Sequence, residues 1–118
     1  MSVPSDLPVW QELKAHHAAI ADLHLRDLFA ADHARFSTFS RRFGDLLVDF
    51  SKHRITGETL GLLIELASQA QVPAWIERTF SGEMVNHTER RSVLHVALRN
   101  RGDRPILING VDVMPGVN

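Results

Sequence analysis

Apolar residues recur along this chain with a helical period that gives way twice to a strand period. Trp10, Leu13, His17 and Ile20 mark one face of a helix expected over about residues 8–22, and Pro8 suits its first turn. Leu25, Leu28, Phe29 and Phe36 keep the helical spacing through LRDLFAADHARFSTF, where Asp32 can cap a new turn. From Phe39 to Phe50 the period shortens. With Gly44-Asp45 as a two-residue turn, Phe43 faces Leu46, Arg41 faces Val48 and Phe39 faces Phe50. A continuous helix through Phe50 is the competing reading. Thr56 then caps a helix striped by Leu60, Leu63, Ile64 and Ala67 and widened by Leu62, Leu66 and Ala70, which predicts burial round much of its circumference. Pro73 restarts a short helix that aligns Val72, Ile76 and Phe80 and ends at Gly82, a residue free to take the left-handed conformation.

Residues 82–101, GEMVNHTERRSVLHVALRNR, predict one more helix, from about 87 to 100. Asn86 and Glu89 stand three apart like an N-cap and its returning carboxylate. Val93, Leu94, Ala97 and Leu98 supply the apolar stripe, and Arg99 and Arg101 complement the negative end of the dipole. On such a helix His95 shares a face with Arg91 and Arg99. Pro105 blocks further helix, and ILINGVDV carries the strongest hairpin signal, since Asn109-Gly110 favours a type I′ turn. That turn puts Ile106, Ile108, Val111 and Val113 on one face, with Leu107 and Asp112 on the other. The expected fold is mainly α with one or two short β-hairpins, an α+β arrangement with too few strands for a doubly wound sheet.

Composition narrows the function classes. The 118 residues suffice for one domain, and 44% hydrophobic with 23% charged residues is a globular balance. A formal charge of −1 and a pI near 6.6 predict no nucleic-acid or anionic-membrane partner. No run reaches the roughly 18 apolar residues of a transmembrane helix, and MSVPSDLPVWQEL lacks the pattern of a signal peptide. With no cysteine there is no disulfide, thiolate zinc site or thiol nucleophile, and a cytoplasmic setting is expected.

Several residues invite a chemical reading and have a plainer one. His17 and His24 lie two helical turns apart, His16 beside them, and no H-E-x-x-H is present, so no metal site and no cofactor are expected. Lys52, His53 and Arg54 could suit a phosphate but read more simply as a solvated loop. Glu89, Arg90 and Arg91 read as dipole-complementing and surface charges rather than catalytic ones. The aromatics Trp10, Phe29, Phe36, Phe39 and Phe43 read as core rather than as a stacking platform.

The order of polar residues in 82–101 adds a different kind of signal. Asn86, Thr88, Glu89, Arg91 and His95 resemble the N-terminal signature of the phosphoglucose isomerase family, G-E-x-[IV]-N-x-T-E-x-R-[AS]-V-L-H-x-A-L-R. The likeness runs from about Trp10 to Asn118. It takes in Leu23-His24, Arg26-Asp27-Leu28-Phe29, Phe36, Phe39-Ser40, Asp49-Phe50-Ser51-Lys52, Thr56 with Glu58 and Thr59, and Asp112-Val113-Met114-Pro115 with Val117-Asn118. His53 and Gly116 depart from the pattern at its periphery, and Ser92 stands where the family more usually has alanine.

The resemblance implies the N-terminal helical part of a larger α/β enzyme that interconverts glucose 6-phosphate and fructose 6-phosphate through an enediol. It also implies that residues 1–118 form a single segment without the phosphate-binding and catalytic domains. The family's phosphate loop, catalytic glutamate, ring-opening histidine and C-terminal lysine belong beyond Asn118, so no catalytic residue is expected in this chain. The chain's glycines do not cluster into a phosphate cradle. His95 and Arg91 are then expected to support the active site of the intact enzyme without touching substrate; the plainer reading of His95 is a histidine hydrogen-bonded at the helix–core boundary. An independent interaction module, or a small enzyme or metal protein, are the other readings; the stop inside a family motif favours the first. By itself the chain is expected to be inactive and to self-associate through its uncovered hairpin faces, whereas the parent enzyme is expected to be a homodimer.

Overall fold

A computed structural model describes residues 3–117, which form two compact units that divide between Ala70 and Gln71. Within the first, the element order is a 3₁₀ turn, helices α1 (Pro8–Ile20), α2 (Leu25–Ala31) and α3 (Arg35–Thr38), strands β1 (Ser40–Phe43) and β2 (Leu46–Asp49), and helix α4 (Gly57–Gln69). The second holds helices α5 (Val72–Ser81) and α6 (His95–Arg99), strands β3 (Leu107–Ile108) and β4 (Val111–Asp112), and a closing 3₁₀ turn. Both strand pairs are antiparallel, so the mainly helical α+β expectation holds.

The β1–β2 hairpin has the register its turn dictates, with Phe43 opposite Leu46 and Arg41 opposite Val48, which excludes the continuous helix. Phe50 N–H donates to the Phe39 carbonyl at 2.9 Å, and the two rings meet edge to face at 6.0 Å. Asp32 caps the turn into α3, its carboxylate accepting from Ala34 N–H at 2.9 Å. The core of this unit is partly polar. Arg35, only 3% exposed, donates through Nε to the Ser51 carbonyl at 2.9 Å and through a terminal nitrogen to the His53 carbonyl at 2.8 Å. Its guanidinium also lies 4.6 Å from the Phe39 ring centroid and 5.5 Å from that of Phe29.

Helices α1 and α4 pack together, and the histidine they bury is His16 rather than His17 of the expected stripe. Val9 and His16 are buried and Trp10, Leu13 and Ile20 half-buried, so of the expected stripe only His17 lies off the covered face, and Thr59 gives His16 a polar partner there. The His16 Nε2 and Thr59 Oγ1 atoms are 2.6 Å apart, and Glu58 lies 3.6 Å from Nδ1. Thr59 also closes a capping box: its hydroxyl accepts from Thr56 N–H at 2.9 Å while the Thr56 hydroxyl accepts from Thr59 N–H.

Three expectations need correction. Helix α4 is not buried round most of its circumference: Leu63 and Ile64 are exposed, since α1 covers only one side of it. Phe29, Phe36 and Phe43 are not core, and Phe43, at the hairpin tip, is 86% exposed. The signature stretch is not a helix from 87 to 100; only His95–Arg99 is helical. Asn86 and Arg91 instead exchange both backbone hydrogen bonds at 3.2 Å, closing a small loop that Arg90 completes with a positive φ of 52°. Short polar side chains that satisfy backbone groups locally compete with helix formation, and Asn86 does so here.

The β3–β4 hairpin follows the sequence closely. Asn109 and Gly110 have φ of 50° and 79°, the two positive values of a type I′ turn, and Ile108 pairs with Val111. Its apolar face is covered in part. Ile108 lies against Gly82, which ends α5 with φ of 81°; a Cβ there would collide with Ile108 Cδ1 and come within 2.9 Å of the Leu107 carbonyl oxygen. Val111 on the same face stays 67% exposed.

Candidate functional site

The polar residues of 82–101 are gathered by a loop rather than by one helix face. Gly82 turns the chain at the end of α5, and Ser92 Oγ donates to the Gly82 carbonyl at 2.7 Å, tying the loop's two ends together. Between them, Asn86 Oδ1 accepts from the Thr88 hydroxyl at 2.8 Å and from Glu89 N–H at 3.2 Å, and Asn86 Nδ2 donates to the Glu89 carboxylate at 3.3 Å. Asn86 thus caps Glu89 N–H as expected, but the carboxylate returns to Asn86 Nδ2 and not to its backbone N–H, and the bonds close a turn rather than a helix. His87 rests edge-on against Trp75 at 5.6 Å, holding the loop to α5, and Arg78 covers the same indole at 5.0 Å.

Arg91 and His95 both border one hollow, with Glu89, Ser92 and Leu98 among their neighbours. His95 reaches it from the first turn of α6, whereas Arg91 reaches it from the loop, so the expected helical stacking of Arg91 on His95 does not exist. His95 and Arg99, four apart on α6, also border a second hollow with Phe80, Asn100, Arg104 and Ile106. His95 thus stands between two hollows and is exposed, not the hydrogen-bonded boundary residue of the plainer reading. Among the described residues neither Arg91 nor His95 has an ion-pair partner, and neither side chain makes a hydrogen bond.

Positive charge from Arg91 at an open, mostly apolar hollow can attract an anion or an acidic group. Proton transfer needs more: a base held within hydrogen-bond reach of the acid it serves. Glu89, the carboxylate nearest in sequence, is engaged by Asn86 and exposed. The arrangement can therefore hold and polarise a group but does not by itself pair an acid with a base.

The other sequence candidates are dispersed. His24 Nδ1 accepts from Arg26 N–H at 3.1 Å as the cap of α2, His16 is committed to Thr59, and His17 is exposed. Among the described residues no group of three or more histidines and carboxylates is placed to hold a metal ion. Lys52, His53 and Arg54 are exposed in the loop after β2, where the His53 carbonyl serves Arg35. In that loop Asp49 accepts from the Ser51 hydroxyl at 2.7 Å and from Ser51 N–H at 2.9 Å, bonds that hold its carboxyl below the usual aspartate range. The paired roles of Arg35 and of His16 with Thr59 were not foreseen. The one sequence hint was a charged or polar residue standing at helical spacing from apolar ones, Arg35 near Phe39 and His16 between Leu13 and Ile20. Asn118, the last residue of the D-V-M-P-x-V-N likeness, lies outside the described residues.

Comparison with known proteins identifies the family to which this sequence is related. The family model for phosphoglucose isomerase matches residues 49–118. Glucose-6-phosphate isomerase of Methylococcus capsulatus is 54% identical over all 118 residues, and glucose-6-phosphate isomerase 1 of Chromobacterium violaceum is 53% identical over the same span. The chain spans 22% of the length of each of these relatives. Among the described residues no helix is long and apolar enough to cross a membrane.

Proposed function

The chain belongs to the phosphoglucose isomerase family, and we propose that it serves as the N-terminal structural part of an enzyme that interconverts glucose 6-phosphate and fructose 6-phosphate. The observation that carries this reading is identity of 53–54% along the entire chain to glucose-6-phosphate isomerases of which it makes up 22%. An aldose–ketose isomerisation through an enediol needs a phosphate cradle, a group that opens the ring, a carboxylate near C2 and positive charge for the enediolate. In this reading the remaining length of the enzyme brings the cradle and the bases. The present segment brings scaffold, with Arg91 setting positive charge and His95 a polar ring behind the groups that touch the sugar. The whole enzyme would act in the cytoplasm as a homodimer, in sugar-phosphate metabolism.

A coupled assay tests the proposal in two arms. The 118-residue chain alone gives no conversion of fructose 6-phosphate. Mixed with the complementary remainder of the Methylococcus enzyme, it restores turnover, whereas the remainder alone stays inactive. Turnover by the chain alone that survives repurification overturns the reading, and so does full activity of the remainder without it. In the reconstituted enzyme, His95→Ala lowers kcat while leaving KM for the sugar phosphate nearly unchanged, because the residue does not touch substrate.

Taken alone, the chain would self-associate. Phe43, Leu46 and Val48 share the exposed face of the first hairpin, and Val111 lies open on the second. Exposed apolar patches of this kind favour association. Sedimentation velocity on the chain shows a species larger than 13.3 kDa that Phe43→Lys shifts toward the monomer; a compact monomer at micromolar concentration refutes this part.

A further inference from the structure

We propose that Asn109 is a site of spontaneous deamidation, and that its conversion to isoaspartate releases the contact that pins the end of α5. Asn109 and Gly110 are the two central residues of the β3–β4 turn, and both are exposed. Gly110 has no side chain to shield its amide nitrogen, and a Cβ built there meets nothing within 4 Å. Among the described residues, neither the Gly110 N–H nor the Asn109 carboxamide makes a hydrogen bond. Nucleophile and electrophile are therefore adjacent, unengaged and open to water.

The other described asparagines differ in both respects. Asn86 precedes His87, and its carboxamide is bonded to Thr88 and Glu89. Asn100 precedes Arg101; its Nδ2 donates to the Arg104 carbonyl at 2.9 Å and its Oδ1 accepts from Gly102 N–H at 3.0 Å. A carboxamide held this way cannot swing toward the next amide without breaking those bonds.

The chemistry needs only water. The Gly110 nitrogen attacks Cγ of Asn109, a new N–Cγ bond forms, and the Cγ–Nδ2 bond breaks. The proton from the Gly110 amide accompanies Nδ2, which leaves as ammonia, and a five-membered succinimide remains. Water then opens the ring. Attack at Cγ gives aspartate; attack at the main-chain carbonyl carbon gives isoaspartate, with the chain rerouted through Cβ and Cγ. Ring closure requires the turn to leave its left-handed conformation, and strands of two residues each oppose that only weakly.

The two products have different consequences. Aspartate suits a type I′ turn as well as asparagine does. Isoaspartate lengthens the main chain at the one place where the Ile108–Val111 register is set. A slip there withdraws Ile108 from the space over Gly82 that its Cδ1 fills. The end of α5 and the loop leading to Asn86 then lose a packing partner. This proposal rests on the turn and not on the isomerase reading.

The test is to age the full chain in mildly alkaline buffer and to map it by peptide mass spectrometry with isoaspartyl-specific methylation. Acid appears at Asn109 several times faster than at Asn86 or Asn100, the isoaspartyl form predominates, and amide-exchange protection falls at Gly82 and Glu83 in proportion. Asn109→Gln abolishes both changes, and Asn109→Asp keeps the protection despite its added charge. Conversion at Asn109 no faster than at Asn86, or a product that is aspartate alone, overturns the site. Isoaspartate that leaves exchange at Gly82 untouched overturns the coupling.

Discussion

Arg35 and Arg91 are the same residue type in family-like sequence, yet the fold treats them in opposite ways. Arg35 is buried, with two backbone carbonyls on its guanidinium and two aromatic rings against it. Arg91 is exposed, and only its backbone is engaged, in the pair it forms with Asn86. A buried guanidinium whose donors meet carbonyls serves the chain's own connections, here by binding the segment after β2 to α3. An exposed guanidinium at the rim of a hollow is free to serve something else. The difference teaches where to look for glue and where to look for function: at the partners of a charge, not at the charge itself.

Removing each arginine breaks the comparison most directly. Arg35→Leu deletes two charge-assisted hydrogen bonds, leaving the buried Ser51 carbonyl without its partner and the His53 carbonyl with only Ile55 N–H, a loss of about 3 kcal/mol. Chemical denaturation followed by circular dichroism reads this as a lower midpoint. Arg35→Lys recovers less than half, because one ammonium cannot span both carbonyls in the guanidinium's fixed fork. Arg91→Leu changes stability by less than about 0.5 kcal/mol, as for a surface substitution. Equal losses at the two positions would abolish the distinction.

Gly82 carries the next largest effect. Gly82→Ala must hold a Cβ at φ of 81° and push aside Ile108 and the Leu107 carbonyl. Left-handed strain and crowding together cost about 2–3 kcal/mol. Because Gly82 is in the second unit, the loss is expected in amide exchange of Gln71–Asn118, with α1 and α4 retaining their protection.

How much of this was legible in the sequence depends on how local the signal is. The two hairpins were readable to the residue because Gly44 and Asn109-Gly110 fix register by backbone conformation alone. The Thr56 cap and the Gly82 stop were readable for the same reason. The stretch 87–94 was misread: its apolar spacing is helical, but Asn86, Thr88 and Glu89 satisfy one another in a turn. Periodicity does not register such a competition. Arg35 and His16 could not be read, since their partners at Ser51, His53 and Thr59 are distant in sequence and known only once the chain is folded. At the candidate site the helical spacing of Arg91 and His95 misled: they border one hollow without sharing a helix.

Thr59 joins two jobs, and its removal separates them. Thr59→Val keeps the shape, deletes the hydroxyl, and strips both the His16 partner and one half of the Thr56 capping box. The expected loss is about 1–2 kcal/mol. Thr59→Ser retains most of that stability, since its hydroxyl can reach both Thr56 N–H and His16 Nε2. If serine fails to rescue, the methyl group rather than the hydroxyl carries the effect.

Asp49 gives the smallest effect and one whose sign is fixed by the structure. Its carboxyl is held below the ordinary aspartate range, first by the Ser51 hydroxyl, then by Ser51 N–H, with Lys52 and His53 adding attraction. A carboxyl whose folded pKa is depressed releases its proton more readily in the native chain than in the unfolded one. Its stabilising contribution is therefore complete above the unfolded value of about 4 and disappears as pH falls through the lower folded value. Between neutral pH and mild acidity this group adds no slope; below about pH 4 stability declines as Asp49 takes up its proton. Asp49→Asn keeps an acceptor for Ser51 but has no proton to bind, so the acid limb of its stability profile is shallower than in the parent chain. Solvent surrounds the Asp49 carboxylate and screens its attraction to Lys52 and His53, so added salt alters that limb only slightly while the hydrogen bonds from Ser51 persist. An unchanged acid limb in Asp49→Asn would assign the low pKa no role in holding β2 to the loop that follows it.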